Sequence, residues 1–189
     1  GGNNAGHTIQ HNGKRFALRL LPSGILNPNV TNVLADGRVI DLSCLDKEIK
    51  NLEESGHKEF SLLISKRASL LLPYHIELDK ARENALGKNR IGTTKNGIGP
   101  CYEDKAARLS LRAGDLLYPD FVKERLESIL PLKNLELTAY GAKTFTVEEI
   151  RKYLEQFRPF VLPRLTDTSR FLQKALADGK KILFEGAQG

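Results

Sequence analysis

The sequence predicts an α/β protein whose mostly parallel central sheet is covered by helices on both faces. Short apolar runs typical of strands alternate along the chain with longer segments in which apolar residues recur at helical spacing. Glycine-rich segments open and close the chain, at 1–8 and 185–189. In such a sheet they belong beyond the carboxyl ends of strands, where ligands bind.

The first elements are expected to be strands. Residues 8–20 predict a β-hairpin near the N-terminus, because Asn12-Gly13 is a preferred pair for a type I′ turn and apolar residues alternate along the second half. Pro22-Ser23-Gly24 then interrupts the pattern, and a short strand is expected from Val30 to Leu34.

Helices dominate the remainder of the chain. Helical spacing of apolar residues, capping pairs such as Thr146 with Glu149, and terminating glycines define five of them. Ser43 with Asp46 is the expected cap of the first. The predicted helices are 43–56, 73–87, 120–130, 146–157 and 168–179, and further strands are expected at 60–64 and 180–184.

Composition narrows the class of protein. With 40% hydrophobic and 28% charged residues the chain is typical of a soluble protein, and it has neither a signal peptide nor an apolar run of ~20 residues. Cys44 and Cys101 are too few for a disulfide framework, so free thiols in a reducing, cytoplasmic location are expected. The net charge of +6 suits anionic ligands, but the dispersed basic residues and the lack of interleaved aromatics argue against nucleic acid.

The ends of the sequence suggest an incomplete piece of one domain. The chain has no methionine and both ends lie within glycine-rich segments, whereas domain boundaries normally fall in exposed linkers. We therefore expect residues 1–189 to be part of a longer chain.

The first candidate segment is GGNNAGHT, residues 1–8. Its small residues allow close approach of a phosphate to the backbone, and successive amides can form an anion-binding nest. Asn4 offers an amide, Thr8 a hydroxyl, and His7 a ring whose ordinary pKa of about 6.5 suits a general acid. The alternative is a polar turn leading into the hairpin, with His7 on the surface.

The second candidate segment is IGTTKNGIGPCYEDKAAR, residues 91–108. Its glycines and threonines predict a long ordered loop with hydroxyls and amides as phosphate donors. Lys105, Arg108 and Arg112 would share a face if they lie on a helix, and a cationic stripe beside such a loop suits a phosphate monoester. A solvated helix face is the alternative, and the residues alone do not favour either.

The third candidate segment is EGAQG, residues 185–189, where Gln188 can donate to and accept from a base edge or ribose. A simple strand-end turn explains it equally well. The chain contains neither a Walker A pattern nor a dinucleotide fingerprint, and His11, His57 and Cys44 lack the spacing of a zinc site.

Taken together, these segments resemble the adenylosuccinate synthetase family. Residues 97–108 contain the family signature glycine-isoleucine-glycine-proline-x-tyrosine-x-x-lysine-x-x-arginine, which is highly specific. Four further family motifs occur in the expected order, at 4–8, 22–26, 112–116 and 184–189. The resemblance covers the whole chain and implies a P-loop-NTPase-like α/β fold with helical insertions.

The resemblance implies a GTP-dependent ligase of AMP biosynthesis. Such enzymes phosphorylate the 6-oxygen of IMP with the γ-phosphate of GTP, and the amine of L-aspartate then displaces that phosphate to give adenylosuccinate. A proton donor and Mg²⁺ are needed to offset the charge that develops on the transferred group.

The resemblance also implies roles for individual residues. His7 corresponds to the catalytic proton donor, and the main-chain carbonyl of Gly6 to a ligand of Mg²⁺. Arg108 corresponds to an arginine that reaches the IMP site of the neighbouring subunit, which implies a homodimer. The implied contacts to IMP are Asn4, Ala5, Gly6, His7, Thr94, Arg108 and Gln188, and those to GTP are Gly6, His7 and Thr8.

Several parts of the family pattern are missing from this sequence. These are the N-terminal phosphate loop with its catalytic aspartate and lysine, the aspartate-binding loop and the guanine-recognition segment. The resemblance therefore implies that residues 1–189 alone are inactive. A non-catalytic nucleotide-binding or dimerisation module remains the alternative.

Overall fold

The computed structural model describes residues 1–186 and confirms the α/β class. The strands within these residues are β1 (His7–His11), β2 (Lys14–Leu18), β3 (Thr31–Leu34), β4 (Val39–Asp41), β5 (Ser61–Ser65), β6 (Ser69–Leu71) and β7 (Leu165–Thr166). The α-helices are α1 (Leu42–Glu54), α2 (Pro73–Ala85), α3 (Ile98–Ala106), α4 (Pro119–Ala139), α5 (Val147–Glu155), α6 (Arg158–Val161) and α7 (Thr168–Ala177).

Parallel pairing prevails among these strands, as predicted. One sheet has the order β3-β5-β7 and a second pair joins β4 to β6, all in parallel. The hairpin β1–β2 is antiparallel, with His7 opposite Leu18. Its turn residues Asn12 and Gly13 have φ values of 49° and 74°, as a type I′ turn requires.

The strand predicted at 180–184 is wrong. This segment has no regular secondary structure, and Leu183 and Phe184 are 86% and 83% exposed. A strand is stabilised by hydrogen bonds to a neighbouring strand, and within the described residues none lies beside it.

Two helix boundaries differ from the predictions. The carboxylate of Asp41 caps α1 by accepting hydrogen bonds from the N–H groups of Ser43 and Cys44, so Ser43 is not the cap. Helix α4 continues beyond Pro131, although the sequence predicted an end at Leu130. Buried residues on both sides of the proline hold the helix together by packing, and these are Leu126, Ile129, Lys133 and Leu137.

The long loop predicted in 91–108 is shorter than expected, and the cationic stripe considered there is wrong. Residues 98–106 form α3, which ends before the second and third members of the predicted cationic stripe, so the stripe does not exist. Arg108 lies beyond the helix in the left-handed region, with φ of 61°, and Arg112 pairs with Ser69 in a β-bridge. Lys105 is still helical and donates to the carbonyl of Asp36 at 2.8 Å.

One hydrophobic core joins the hairpin, the strands and helices α1, α2, α4 and α5. A smaller cluster beneath α3 consists of Val39, Leu71 and Cys101, with Ile76, Ile98 and Tyr102 against it. This cluster fixes α3 over β4 and β6. Among the helices described, none has both the length and the apolar character needed to cross a lipid bilayer.

Candidate functional site

The first glycine-rich segment packs its backbone tightly against the start of α3. A Cβ atom added to Gly2 would lie 2.5 Å from Cδ1 of Ile98 and 2.7 Å from Cγ2 of Val39. The next residue, Asn3, is only 6% exposed and donates from Nδ2 to Oδ2 of Asp41 at 2.9 Å. The segment is therefore held in place by both packing and buried hydrogen bonds.

His7 stands at the first position of β1, with its side chain one-third exposed. Its Nε2 atom is shielded from solvent and has no hydrogen-bond partner among the described residues, and Oε1 of Glu185 lies 3.5 Å away. Glu185 also accepts hydrogen bonds from the backbone N–H of Ser23, at 3.0 Å, and from the Ser23 hydroxyl. Three of the motif segments therefore meet at this carboxylate.

The other candidate binding residues of the first segment are sequence neighbours of His7. Gly2 donates its N–H to Oδ1 of Asn4 at 3.4 Å, which orients the Asn4 amide. Ala5 is half-buried, whereas Gly6 and Thr8 are exposed. These residues thus border a surface that a ligand can reach.

The second glycine-rich segment, 91–97, contacts the first. Nδ2 of Asn96 donates to the carbonyl of Asn3 at 3.3 Å, and the guanidinium of Arg19 donates to the same carbonyl at 3.1 Å. Gly97 has φ of 77°, and a Cβ there would lie 2.7 Å from backbone atoms of His75. The two glycine-rich loops are therefore direct neighbours in the fold.

The two side chains expected to contact phosphate lie apart from one another. Thr94 is exposed in the 91–97 loop, which precedes α3 and contacts the first segment through Asn96. Arg108 is exposed beyond the opposite end of the nine-residue α3, which is about 13 Å long. The structure therefore groups Thr94, but not Arg108, with the first segment. Gln188 lies outside the described residues.

Sequence reasoning missed the buried polar groups that support the second loop. Asp79 and Glu83, one turn apart on α2, hold residues 91–97 by hydrogen bonds. On α3 itself, the buried carboxylate of Asp104 accepts hydrogen bonds from His75 and Lys133. The available signal was the spacing of four residues that places Asp79 and Glu83 on the same face of α2 as His75.

Neither cysteine is suited to nucleophilic chemistry. Burial, together with the nearby Glu48 carboxylate, raises the pKa of Cys44 to about 12. Burial and the Asp104 carboxylate raise the pKa of Cys101 as well. Both thiols are therefore protonated near neutral pH, and only the thiolate attacks.

The residues near His7 can supply only a few ligands to a metal ion. Within residues 1–186, no three His, Cys, Asp or Glu side chains come together as a metal site would require. The main-chain carbonyl of Gly6 remains available at the exposed start of the hairpin. Such a donor fits Mg²⁺, which is commonly held by few protein ligands together with substrate phosphates.

Comparison with known proteins gives one consistent result. The family model described as adenylosuccinate synthetase matches residues 1–189. The chain is 47% identical over 194 residues to the adenylosuccinate synthetase of Heliobacterium modesticaldum, and 46% identical over 190 residues to that of Streptococcus gordonii. These alignments cover 100% of the chain and 44% of each relative, so the chain spans less than half of their length.

A solved structure agrees with the sequence relatives. The fully ligated adenylosuccinate synthetase from Plasmodium falciparum superimposes with a TM-score of 0.84 at 34% sequence identity. The match covers 98% of this chain and 43% of that one.

Proposed function

This chain belongs to the adenylosuccinate synthetase family, and on that premise we propose that the protein carrying it joins IMP to L-aspartate with conversion of GTP to GDP and phosphate. The products are adenylosuccinate, GDP and phosphate, in the branch of purine synthesis that leads to AMP. The observation that supports this proposal most strongly is the contact between the two glycine-rich loops, made by Asn96 and Asn3.

The reaction proceeds through two displacements. N1 of IMP first loses its proton to a base, the 6-oxygen forms a bond to the γ-phosphorus of GTP, and the bond from that phosphorus to the bridging oxygen of GDP breaks. The aspartate amine then forms a bond to C6 and loses a proton, the bond from C6 to the phosphorylated oxygen breaks, and phosphate leaves. Both steps build negative charge on phosphoryl oxygens, which hydrogen-bond donors stabilise.

His7 is the proposed proton donor to these oxygens. Its Nε2 is shielded from solvent and has no partner among the described residues, and a shielded ring nitrogen is stabilised when a ligand supplies one. The Glu185 carboxylate lies 3.5 Å from this nitrogen. A histidine so placed can donate to an anionic ligand without prior rearrangement of the hairpin.

The other candidate residues take supporting roles in this proposal. Asn4, Ala5, Gly6, His7, Thr94 and Gln188 contact IMP, and Gly6, His7 and Thr8 face GTP. The Gly6 carbonyl would be one ligand of Mg²⁺, which would neutralise charge on the nucleotide phosphates when bound.

The proposed assembly is a cytoplasmic homodimer. Arg108 supports it, because this residue is exposed at the end of α3 that points away from Thr94. An arginine in that position is suited to reach the IMP site of a second copy. Its guanidinium matches the oxygens of a phosphate monoester.

The proposal is tested by steady-state turnover, followed through the absorbance change that accompanies adenylosuccinate formation. A natural chain that contains this sequence and has the length of its relatives should be active with IMP, GTP and aspartate, whereas residues 1–189 alone should be inactive. His7→Ala in the long chain should lower kcat by about 10²–10⁴, the usual contribution of a general acid, and leave IMP affinity nearly intact. IMP binding without turnover by the unsubstituted long chain would instead identify a non-catalytic binding module.

A further inference from the structure

Two buried carboxylates on α2 support the second glycine-rich loop from beneath. Asp79 and Glu83 are only 6% and 3% exposed. Acidic residues are almost never buried without a partner, yet within residues 1–186 neither carboxylate forms an ion pair. Their hydrogen-bond partners come instead from the loop 91–97.

The four hydrogen bonds hold the loop at its beginning and at its end. The N–H groups of Ile91 and Gly92 donate to Oε1 and Oε2 of Glu83, each at 3.0 Å. The hydroxyl of Thr93 and the N–H of Gly97 donate to Oδ1 and Oδ2 of Asp79, each at 2.8 Å. Residues 94–96 form the apex of the loop and make none of these four hydrogen bonds to the carboxylates.

The backbone of the loop needs such support. Gly92 and Gly97 have φ values of 83° and 77°, and Lys95 has a φ of 56°, which is uncommon for a residue with a side chain. A conformation of this kind persists only where surrounding contacts enforce it. Since the loop forms no strand or helix of its own between 91 and 97, the carboxylates of α2 are the main source of that enforcement.

The negative charges of Asp79 and Glu83 lie close to a proposed phosphate site, which is unfavourable unless these charges are offset. Carboxylates repel an anionic ligand, and the repulsion is strong where solvent is excluded. Here all four carboxylate oxygens accept hydrogen bonds from the loop, which offsets their charge locally. Holding the loop with carboxylates is advantageous if phosphate binding requires residues 94–96 to keep one defined conformation.

We infer that Asp79 and Glu83 are positioning residues for the monophosphate of the nucleotide substrate. They fix the loop 91–97 so that the exposed hydroxyl of Thr94 and the apex amides are oriented towards the phosphate before it binds. The inference rests on the proposed function, because it concerns the same IMP site. Neither carboxylate touches the substrate.

The test compares isosteric variants in the full-length protein. Asp79→Asn and Glu83→Gln each replace a carboxylate oxygen by an amino group that faces an N–H or hydroxyl donor. Each variant should raise the KM for IMP by about tenfold or more, the loss expected when charge-assisted hydrogen bonds are removed. The KM for GTP and kcat should stay within about twofold. Glu77→Gln, on the exposed part of the same helix where Glu77 pairs with Lys80 at 2.8 Å, is the matched control and should change none of these values.

Amide hydrogen exchange without ligand separates the inference from the proposed function. Glu83→Gln should accelerate exchange at Ile91 and Gly92, and Asp79→Asn should accelerate it at Gly97. If exchange accelerates while the KM for IMP is unchanged, the carboxylates have only a structural role and the inference is overturned. If the unsubstituted protein neither binds nor converts IMP, the proposed function fails, whatever the exchange data show.

A milder variant covers the case in which the carboxylate variants do not fold. Thr93→Val keeps the shape of the side chain but removes the hydroxyl, which donates to Asp79 at 2.8 Å and accepts from the N–H of Lys95 at 3.3 Å. It should raise the KM for IMP about threefold without a change in kcat. An unchanged KM in this variant, at full occupancy of the folded state, would also overturn the inference.

Discussion

Replacement of Asp104 by asparagine should strongly destabilise the protein, because this carboxylate joins three helices. Asp104 lies on α3 and is fully buried. It accepts hydrogen bonds from the hydroxyl of Tyr74 at 3.1 Å and from Nε2 of His75 at 3.0 Å, both on α2. The ammonium of Lys133, on α4, donates to its other oxygen.

The geometry leaves no satisfactory orientation for an asparagine amide. The N–H of Leu72 donates to Nδ1 of His75 at 2.8 Å, so Nε2 of this ring carries the proton and must donate. The amino group that Asp104→Asn introduces would therefore face either the His75 N–H or the Lys133 ammonium, and both are donors. The buried ammonium would also lose its counter-charge, which typically costs about 3–5 kcal/mol of folding free energy.

Urea unfolding followed by circular dichroism measures this loss. With a urea m-value of about 2 kcal/mol/M, the midpoint of Asp104→Asn should fall by about 2 M. Lys133→Met should also be destabilised, because it leaves the carboxylate charge uncompensated. The double variant should lose less than the sum of the two, since neither charge remains.

An exposed ion pair provides the control. Lys123 and Glu127 pair on the surface of α4 at 3.1 Å, and Glu127→Gln should change the unfolding free energy by less than about 0.5 kcal/mol. A midpoint shift of less than about 0.5 M in Asp104→Asn, or strict additivity in the double variant, would refute the reasoning.

Three further perturbations test the buried network, the second loop and the proposed dimer. Burial lowers the pKa of His75, although its hydrogen bond to Asp104 acts in the opposite direction. For Asp104, burial acts to raise the pKa, but the hydrogen bonds from His75 and Lys133 outweigh burial, so the pKa of Asp104 is also lowered. The folded state thus resists protonation at both groups, so the urea midpoint should fall as pH drops below about 6.5 and again below about 4; a midpoint constant from pH 7 to pH 5 would contradict this. Gly97→Ala should destabilise by at least ~1 kcal/mol, because φ is 77° and the added Cβ would meet backbone at 2.7 Å, whereas Gly99→Ala, with open space, should not; thermal unfolding distinguishes them. Arg108→Leu in the full-length protein should raise the KM for IMP, and mixing it with a subunit disabled at another site should restore activity; no restoration would argue against a shared site.

Features encoded by neighbouring residues were predictable from the sequence. The Asn12-Gly13 turn specifies the first hairpin, and Thr146 and Glu149 form the expected capping box of α5, with the Glu149 N–H donating to the Thr146 hydroxyl at 3.1 Å. The proximity of the two glycine-rich loops was expected from the family resemblance rather than from spacing. Local sequence does not specify which loops meet.

Features that depend on distant partners were not predictable. The segment 180–184 has the composition of a strand, but pairing decides whether a strand forms. Similarly, Asp79 and Glu83 resemble a solvated helix face until the loop that they hold is known. Pro131 indicated a helix end, and only packing on both sides of it keeps α4 continuous.

The buried acids Asp79 and Asp104 together explain how α3 is held in position. At its beginning, Asp79 holds the N–H of Gly97, and at its end the main-chain carbonyl of Asp104 accepts the N–H groups of Leu109 and Ser110, at 2.8 and 3.2 Å, directly after Arg108. The apolar contacts beneath the helix are non-directional and would allow it to rotate or slide. Hydrogen bonds are directional. The bond from Gly97 to the Asp79 carboxylate therefore fixes the beginning of α3, and the bonds that the Asp104 carboxylate accepts from His75 and Lys133 fix its later part. Because Thr94 precedes this helix and Arg108 follows it, the spacing between the two proposed phosphate contacts is set by α3 itself.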